Sequence, residues 1–204
     1  LATFGKTVFA SSFAMFACGR SYDQIRNSIA HPKLNVKICA SHAGVTVGED
    51  GATHQMLEDL GMMRSLPNMT VMCTSDDRET KWAVEEISKI NSPVYLRLCR
   101  LSTPQIYGED QTFEIGKGVQ IGEGTDATVF ATGVVVPEAI KAKEELEKKA
   151  FVLGGKNYNA PAQRVEDFIN GNRTMAFGKI KPTYMPGVTG ADLNEILPQF
   201  VSDT

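Results

Sequence analysis

Between Thr7 and Leu98, short apolar runs alternate with stretches of helical spacing, and that rhythm restricts the chain to a narrow set of folds. The apolar runs are Thr7 to Phe13, Asn35 to Ala40, Met69 to Cys73 and Pro93 to Leu98, each of strand length. Between the first two, Tyr22, Ile25 and Ile29 fall at helical spacing. From His54 the spacing resumes through Leu57, Leu60 and Met63 or Arg64, and Pro67 stops that predicted helix. Asp76 and Glu79 have the spacing of a capping box, and the helix they open runs to Ile90 with Ala83, Ile87 and Ile90 on one side. Strands alternating with helices predict an α/β fold, a parallel sheet with helices on both faces.

The rest of the chain keeps this rhythm only briefly. Leu101 to about Gly124 is richer in glycine and polar groups and is expected to be a linker with at most one short strand. A strand is predicted over Thr125 to Thr132 and a helix over Pro137 to Lys149, Pro137 suiting the first helical position. These read as the opening of a partial second α/β unit. Phe151 to Thr204 is irregular in texture, with short helices predicted over Pro161 to Asn170 and Gly190 to Leu197. The chain opens on Leu1 without an initiator Met, as if joined mid-domain, so an N-terminal truncation is expected.

Composition narrows the partners. A net charge of −3 gives no electrostatic case for nucleic acid or an anionic membrane surface. No apolar run reaches transmembrane length, and no signal peptide opens the chain. Cys18, Cys39, Cys73 and Cys99 form no C-x-x-C pair, and three lie in or near the apolar runs. They are expected to be buried thiols in a reducing compartment, which points to the cytoplasm.

The chemistry-bearing stretch is Cys39 to Gln55, C-A-S-H-A-G-V-T-V-G-E-D-G-A-T-H-Q. It leaves the second predicted strand and delivers His42, Gly44, Gly48, Glu49, Asp50, Gly51 and His54. In open α/β sheets, ligands bind outside the carboxyl ends of the strands. Asp50 and His54 are four apart at the predicted helix start, where the dipole favours anions. His42, Asp50 and His54 match no zinc spacing, and no metal is assigned to them. Phe13 and Phe16, three apart after the first strand, can offer one aromatic wall to a planar ring, core packing being the alternative. Arg100 in R-L-C-R is a fork for phosphate or carboxylate, a surface ion pair being equally simple. The run G-K-G-V-Q-I-G from Gly116 lacks the third glycine of a dinucleotide loop.

Residues 1 to about 105 resemble the middle, pyrimidine-binding domain of transketolase. The resemblance rests on G-K-T-V-F-A-S-S-F-A-M-F, S-H-A-G-V-T-V-G-E-D-G-A-T-H-Q, R-S-L-P-N-M-T-V and P-V-Y-L-R-L-C-R, in the family's order and spacing. His42 stands where the related deoxyxylulose-phosphate synthases carry Arg, which favours transketolase proper. The short form is similar to the C-terminal subunit of split transketolases. The resemblance implies that Phe13 and Phe16 pack around the aminopyrimidine of thiamine diphosphate. It places His54, with His42, at the reacting centre as catalytic residues, and Asp50, His42 and Arg100 on a sugar phosphate substrate. Such a chain is expected to transfer a two-carbon ketol unit as one half of a shared site. The partner would be a diphosphate-binding transketolase subunit or domain that carries Mg, in a homo- or hetero-oligomer.

The sequence also departs from that pattern. The family has an aromatic three residues after the position of Phe16, and Gly19 stands here. The glutamate that drives ylid formation would lie before Leu1, and no G-D-G...N diphosphate motif is present. The expected division is therefore a truncated pyrimidine-binding domain over 1–105, a linker over 106–124 and the start of the transketolase C-terminal domain over 125–150. Residues 151–204 (F-V-L-G-G-K-N-Y-N-A-P-A-Q-R-V-E-D-F and onward) faintly resemble the C-terminal end of an FAD-dependent dehydrogenase family and suggest an unrelated or misjoined tail. Two further readings follow: a catalytically inactive interaction module, and a flavin-associated oxidoreductase fragment.

Overall fold

A computed structural model describes residues 1–124, 127–156, 160–163, 165–176 and 188–196. The chain divides into two compact units, Leu1–Glu138 and Ala139–Thr204.

In the first unit, the four apolar runs become β1 (Val8–Phe13), β2 (Val36–Ser41), β3 (Thr70–Cys73) and β4 (Val94–Arg97). All neighbours pair in parallel, in the order β1-β2-β4-β3. The strands are joined by α1 (Tyr22–Ile25), α2 (Asp59–Arg64) and α3 (Asp77–Lys89). Wider π-type turns, Met15–Arg20 and Arg26–Ala30, flank α1. One sheet face (Ile38, Ala40, Tyr95) packs on Ala14, Cys18, Ile25, Met56, Met63 and Leu66. The other (Val94, Leu96) packs on Ala83 and Ile87 of α3. Each large aliphatic side chain so buried contributes about 1.5–3 kcal/mol. The parallel sheet with helices on both faces is the predicted one.

Lys37 lies on the α3 face of β2 and is fully buried. Its ammonium donates to the carbonyls of Ile90 (2.7 Å) and Ser92 (2.6 Å), just past the end of α3. Burial pushes its pKa down. The lysine thus satisfies carbonyls that a helix end leaves without partners.

The capping box before α3 does two jobs. Asp76 Oδ1 accepts from Glu79 N, and Glu79 Oε2 accepts from Ser75 N. Asp76 Oδ2 also accepts from the backbone N–H of Ile106 and Tyr107, so the same carboxylate ties down the linker. Phe113 then packs on Trp82 and Tyr107. Asp76→Ala removes the cap and orphans two N–H groups, and is expected to destabilise the first unit by about 2–4 kcal/mol. A urea unfolding curve with an unchanged midpoint would contradict this.

Several expectations need correction. No helix starts at His54. Residues 51–54 form turns, Gly44 bridges to Met56, and α2 begins at Asp59. The reason is local: Gly44, Gly48 and Gly51 all have positive φ, which a continuous right-handed helix does not allow. No strand is present at residues 127–132 either. Val129 and Phe130 are exposed there and, among the described residues, pair with no strand; Thr125 and Asp126 lie outside the described residues. An apolar run becomes a strand only when a neighbour takes its N–H and C=O groups. The linker residues 101–124 likewise contain no strand. Of the thiols, all four are free, but only Cys18 is buried; Cys39, Cys73 and Cys99 are half-buried.

The helix predicted from Pro137 is α4 (Val136–Leu153), one turn longer at its C-terminal end. The second unit adds β5 (Ala160–Ala162), α5 (Val165–Ile169) and β6 (Val188–Gly190), with β5 and β6 parallel. The helix predicted over Pro161 to Asn170 is thus shorter, and in place of the helix predicted over Gly190 to Leu197 stand the end of β6 and the turn Leu193–Glu195, Leu197 lying outside the described residues. Among the described residues, no helix is long and apolar enough to cross a membrane.

Candidate active site

The candidate residues come from the carboxyl ends of neighbouring strands. Phe13 is the last residue of β1 and pairs in register with Ser41, the last of β2. His42 follows Ser41 directly, so the parallel register alone puts its ring beside Phe13. The two rings stack with centroids 3.8 Å apart and planes 9° from parallel. Phe16, one turn on, stacks near Phe13 at 5.9 Å and 13°. His54 meets both phenyl rings edge-on, at 6.0 Å and 5.2 Å. Phenyl and imidazole rings from residues 13 to 54 therefore form one half-exposed cluster at the ligand-binding end of the sheet.

Backbone geometry holds the cluster in place. His42 has φ 59°, in the left-handed region. That conformation costs a non-glycine residue about 1–2 kcal/mol, and such strain collects at functional sites. His42 Nδ1 is hydrogen-bonded to Ser41 Oγ at 3.0 Å, and His54 Nδ1 to Thr53 Oγ1 at 2.9 Å. The His54 N–H donates to Gly51 O, and Gly44 N–H donates to Met56 O at 2.7 Å, closing the loop at its base.

β4 ends at Arg97, and Arg100 is exposed three residues beyond. A Cβ placed on Gly48 would lie 3.3 Å from Arg100 Nη1, so the loop's bare backbone leaves the guanidinium room beside it. Asp50 is exposed at the tip of the same loop. The structure thus brings Phe13, Phe16, His42 and His54 into contact, and sets Arg100 against the 42–54 loop. Asp50 lies in that loop without a described contact to the rings.

Beneath the loop lies a group that spacing did not single out. Asp59 is fully buried; its Oδ2 accepts from Tyr95 Oη and Arg97 Nε, each at 2.8 Å. Burial pushes the Tyr95 phenol far up. Burial opposes the Arg97 charge, but the Asp59 carboxylate outweighs it and the guanidinium pKa is raised. Arg97 Nη2 lies 3.3 Å from where a Cβ on Gly44 would sit, so the buried pair supports the loop carrying His42. An alternation of Tyr95 and Arg97 with apolar residues in the strand was the available sequence signal.

The fit to a planar nitrogen heterocycle can be judged directly. The imidazole of His42 rests on one face of Phe13 at stacking distance, so this phenyl stacks a flat nitrogen ring of the chain itself and leaves its opposite face to a ligand. Among the described residues, no group of three His, Cys, Asp or Glu side chains is placed to hold a metal ion.

The first unit is thus a parallel α/β domain with an aromatic and imidazole cluster at its strand ends. Residues 1–105 match the sequence profile described as "Transketolase, pyrimidine binding domain". The chain belongs to the transketolase family through this domain. Residues 124–204 match a second profile, "FAD-dependent protein, C-terminal domain-like". A Methanocaldococcus jannaschii protein named for a transketolase C-terminal section is 55% identical over 153 residues, covering 74% of this chain and 48% of that protein. A subunit of a 6-deoxy-6-sulfo-D-fructose transketolase from Clostridium sp. is 41% identical, covering 72% and 45%. Among solved structures, a split-gene transketolase in an inactive beta4 tetramer is 46% identical with a TM-score of 0.66, covering 72% of this chain and 48% of that one. The chain spans about half the length of these relatives.

Proposed function

We propose that this chain is the pyrimidine-side half of a thiamine-diphosphate-dependent transketolase site, completed by a diphosphate- and Mg-binding subunit or domain. The complete site would transfer a two-carbon ketol unit between sugar phosphates. The observation that carries the reading is the contact of Phe13, Phe16, His42 and His54 at the strand ends. Thiamine diphosphate, when bound, supplies the electron sink that a carbanion next to a carbonyl needs.

The chain's residues then divide the remaining work. Phe13 and Phe16 offer their faces to the aminopyrimidine and exclude water from one side of it. In both histidines Nδ1 is engaged by a hydroxyl, which leaves Nε2 to exchange protons with the substrate. His54 is the proton-transfer residue that meets both phenyl rings, and His42 the one that stacks on Phe13. Asp50 would accept from a sugar hydroxyl, and His42 and Arg100 would hold the terminal anion. A relative named for a sulfonated fructose supports a terminal anion as the shared feature of the substrates. The relative solved as an inactive beta4 tetramer supports the need for a second kind of subunit. The division into 1–105, 106–124, 125–150 and 151–204 belongs to this reading; the second profile match spans 124–204, so it supports a separate origin for the region that holds the tail and does not mark a boundary at 151.

Reconstitution tests it. The full chain mixed with a diphosphate-binding transketolase subunit, thiamine diphosphate and Mg is expected to give calorimetric heat of binding and ketol transfer from a ketose phosphate to an aldose phosphate. Either component alone should give no turnover. An absence of both heat and turnover in the mixture would reject the proposal.

A further inference from the structure

We infer that Arg97 is a positioning residue for His42: pinned by Asp59, its guanidinium closes the base of the loop that carries both histidines. The use made of His42 rests on the proposed function. Three observations lead there. First, the loop leaves and returns beside one side chain. Arg97 ends β4, and its Nε donates to Asp59 Oδ2 at 2.8 Å, where the loop runs into α2. Its Nη2 faces the loop's start, 3.3 Å from where a Cβ on Gly44 would sit. Second, that start is the part that needs holding. His42 and Gly44 have φ of 59° and 85°, and the Ala43 N–H between them donates to Leu98 O, next to Arg97. A non-glycine residue keeps a left-handed backbone only where its surroundings over-determine it. Third, the pair is poorly suited to be a stability device. Asp59 is fully buried, the Arg97 side chain is only 19% exposed, and Asp59 Oδ1 has no hydrogen-bond partner among the described residues. A buried ion pair gives little net stability over apolar side chains of the same volume.

What a guanidinium adds over apolar side chains is direction. Its nitrogens are fixed in one plane, so pinning Nε on a buried carboxylate also fixes Nη2 at the Gly44 backbone. The nitrogen beside the loop is therefore no free side-chain end. With Gly44 held, the chain reversal after Ser41 is set, and the His42 imidazole stays 3.8 Å from the Phe13 ring. The role is one of placement and involves no proton transfer by Arg97.

The test replaces the pair in the full chain by Arg97→Met with Asp59→Asn, which removes both charges and leaves Tyr95 an acceptor. The urea midpoint is expected to stay at or above the wild-type value. By NMR, the His42 ring protons, shifted upfield in wild type by the stacked phenyl, should return toward ordinary histidine positions. In the assembly with the diphosphate-binding partner, kcat/KM should fall about 10- to 100-fold, the cost of an ångström-scale misplacement. In a His42→Ala background the same pair of changes should alter kcat/KM by no more than about twofold, because the two act through one group. Arg97→Lys is the second variant: it keeps a charge for Asp59 but lacks the fork, and the same displacement of His42 is expected. Unmoved His42 protons in both variants would overturn the inference. So would unfolding of both, which would make the pair a stability element only, and so would an equal kinetic loss with and without His42. If the His42 protons move but the wild-type assembly shows no turnover, the placement stands and the proposed function falls.

Discussion

Asp59→Ala is expected to be the most damaging single substitution in the first unit, lowering its stability by about 3–5 kcal/mol. The carboxylate is fully buried and accepts from both Tyr95 and Arg97. Removing it leaves a guanidinium that is only 19% exposed without its counter-charge, and a buried phenol without its acceptor. Such a pair contributes little net stability while intact, because two charges have been taken out of water. Breaking it by deleting one member is costly, since the other charge stays behind. Asp59 Oδ1 has no hydrogen-bond partner, so the native arrangement is not fully satisfied. Asp59→Asn, which keeps the shape and removes the charge, should therefore cost measurably less than Ala. Denaturant midpoints for the two variants check this, and a loss below about 1 kcal/mol for Ala, an ordinary surface value, would show the pair to be dispensable. Because Arg97 also lies under Gly44, cofactor affinity should fall along with stability.

His54→Ala in the reconstituted enzyme is expected to lower kcat by about 10²–10⁴-fold, the range for loss of a positioned proton-transfer group. His54 is half-buried, fixed through its N–H to Gly51 O and through Nδ1 to Thr53 Oγ1, and meets both phenyl rings edge-on. Assembly with the partner should be unaffected, because the side chain faces the ring cluster. Steady-state kinetics on wild type and variant, with the subunit Kd measured in parallel, give the answer. A variant that assembles normally and turns over within about threefold of wild type would remove His54 from the chemistry, since that is well below the expected range.

The sheet was legible because its signal is local. Each strand is a short apolar run, each helix has its spacing or its cap, and alternation of the two leaves a parallel sheet as the way to bury both faces. The Asp76 and Glu79 spacing read correctly for the same reason: a cap is made within a few residues of itself. The motif residues were legible through a family likeness carried by G-E-D-G-A-T-H-Q and its neighbours, which names residues without placing them.

The failures came where backbone conformation overrode side-chain spacing. His54, Leu57 and Leu60 have helical spacing, yet three glycines at positive φ hold residues 44–56 in a bridged loop, and the helix waits until Asp59. Val129 and Phe130 have strand composition, yet a strand is completed only by a neighbour, which no run of residues supplies for itself.

The sequence by itself determined the order of strands and helices around the four-stranded sheet, the burial of both its faces and the identity of the loop that leaves β2. The tertiary structure alone decided that Phe13 and His42 touch and that Asp59 reaches Tyr95 and Arg97 across the sheet face. The division is physical. Periodicity and capping act over a few residues and leave their mark in the order of letters. Parallel register and the meeting of strand ends join residues some thirty to forty apart, Phe13 to Ser41 and Asp59 to Arg97, and are set only when the sheet closes.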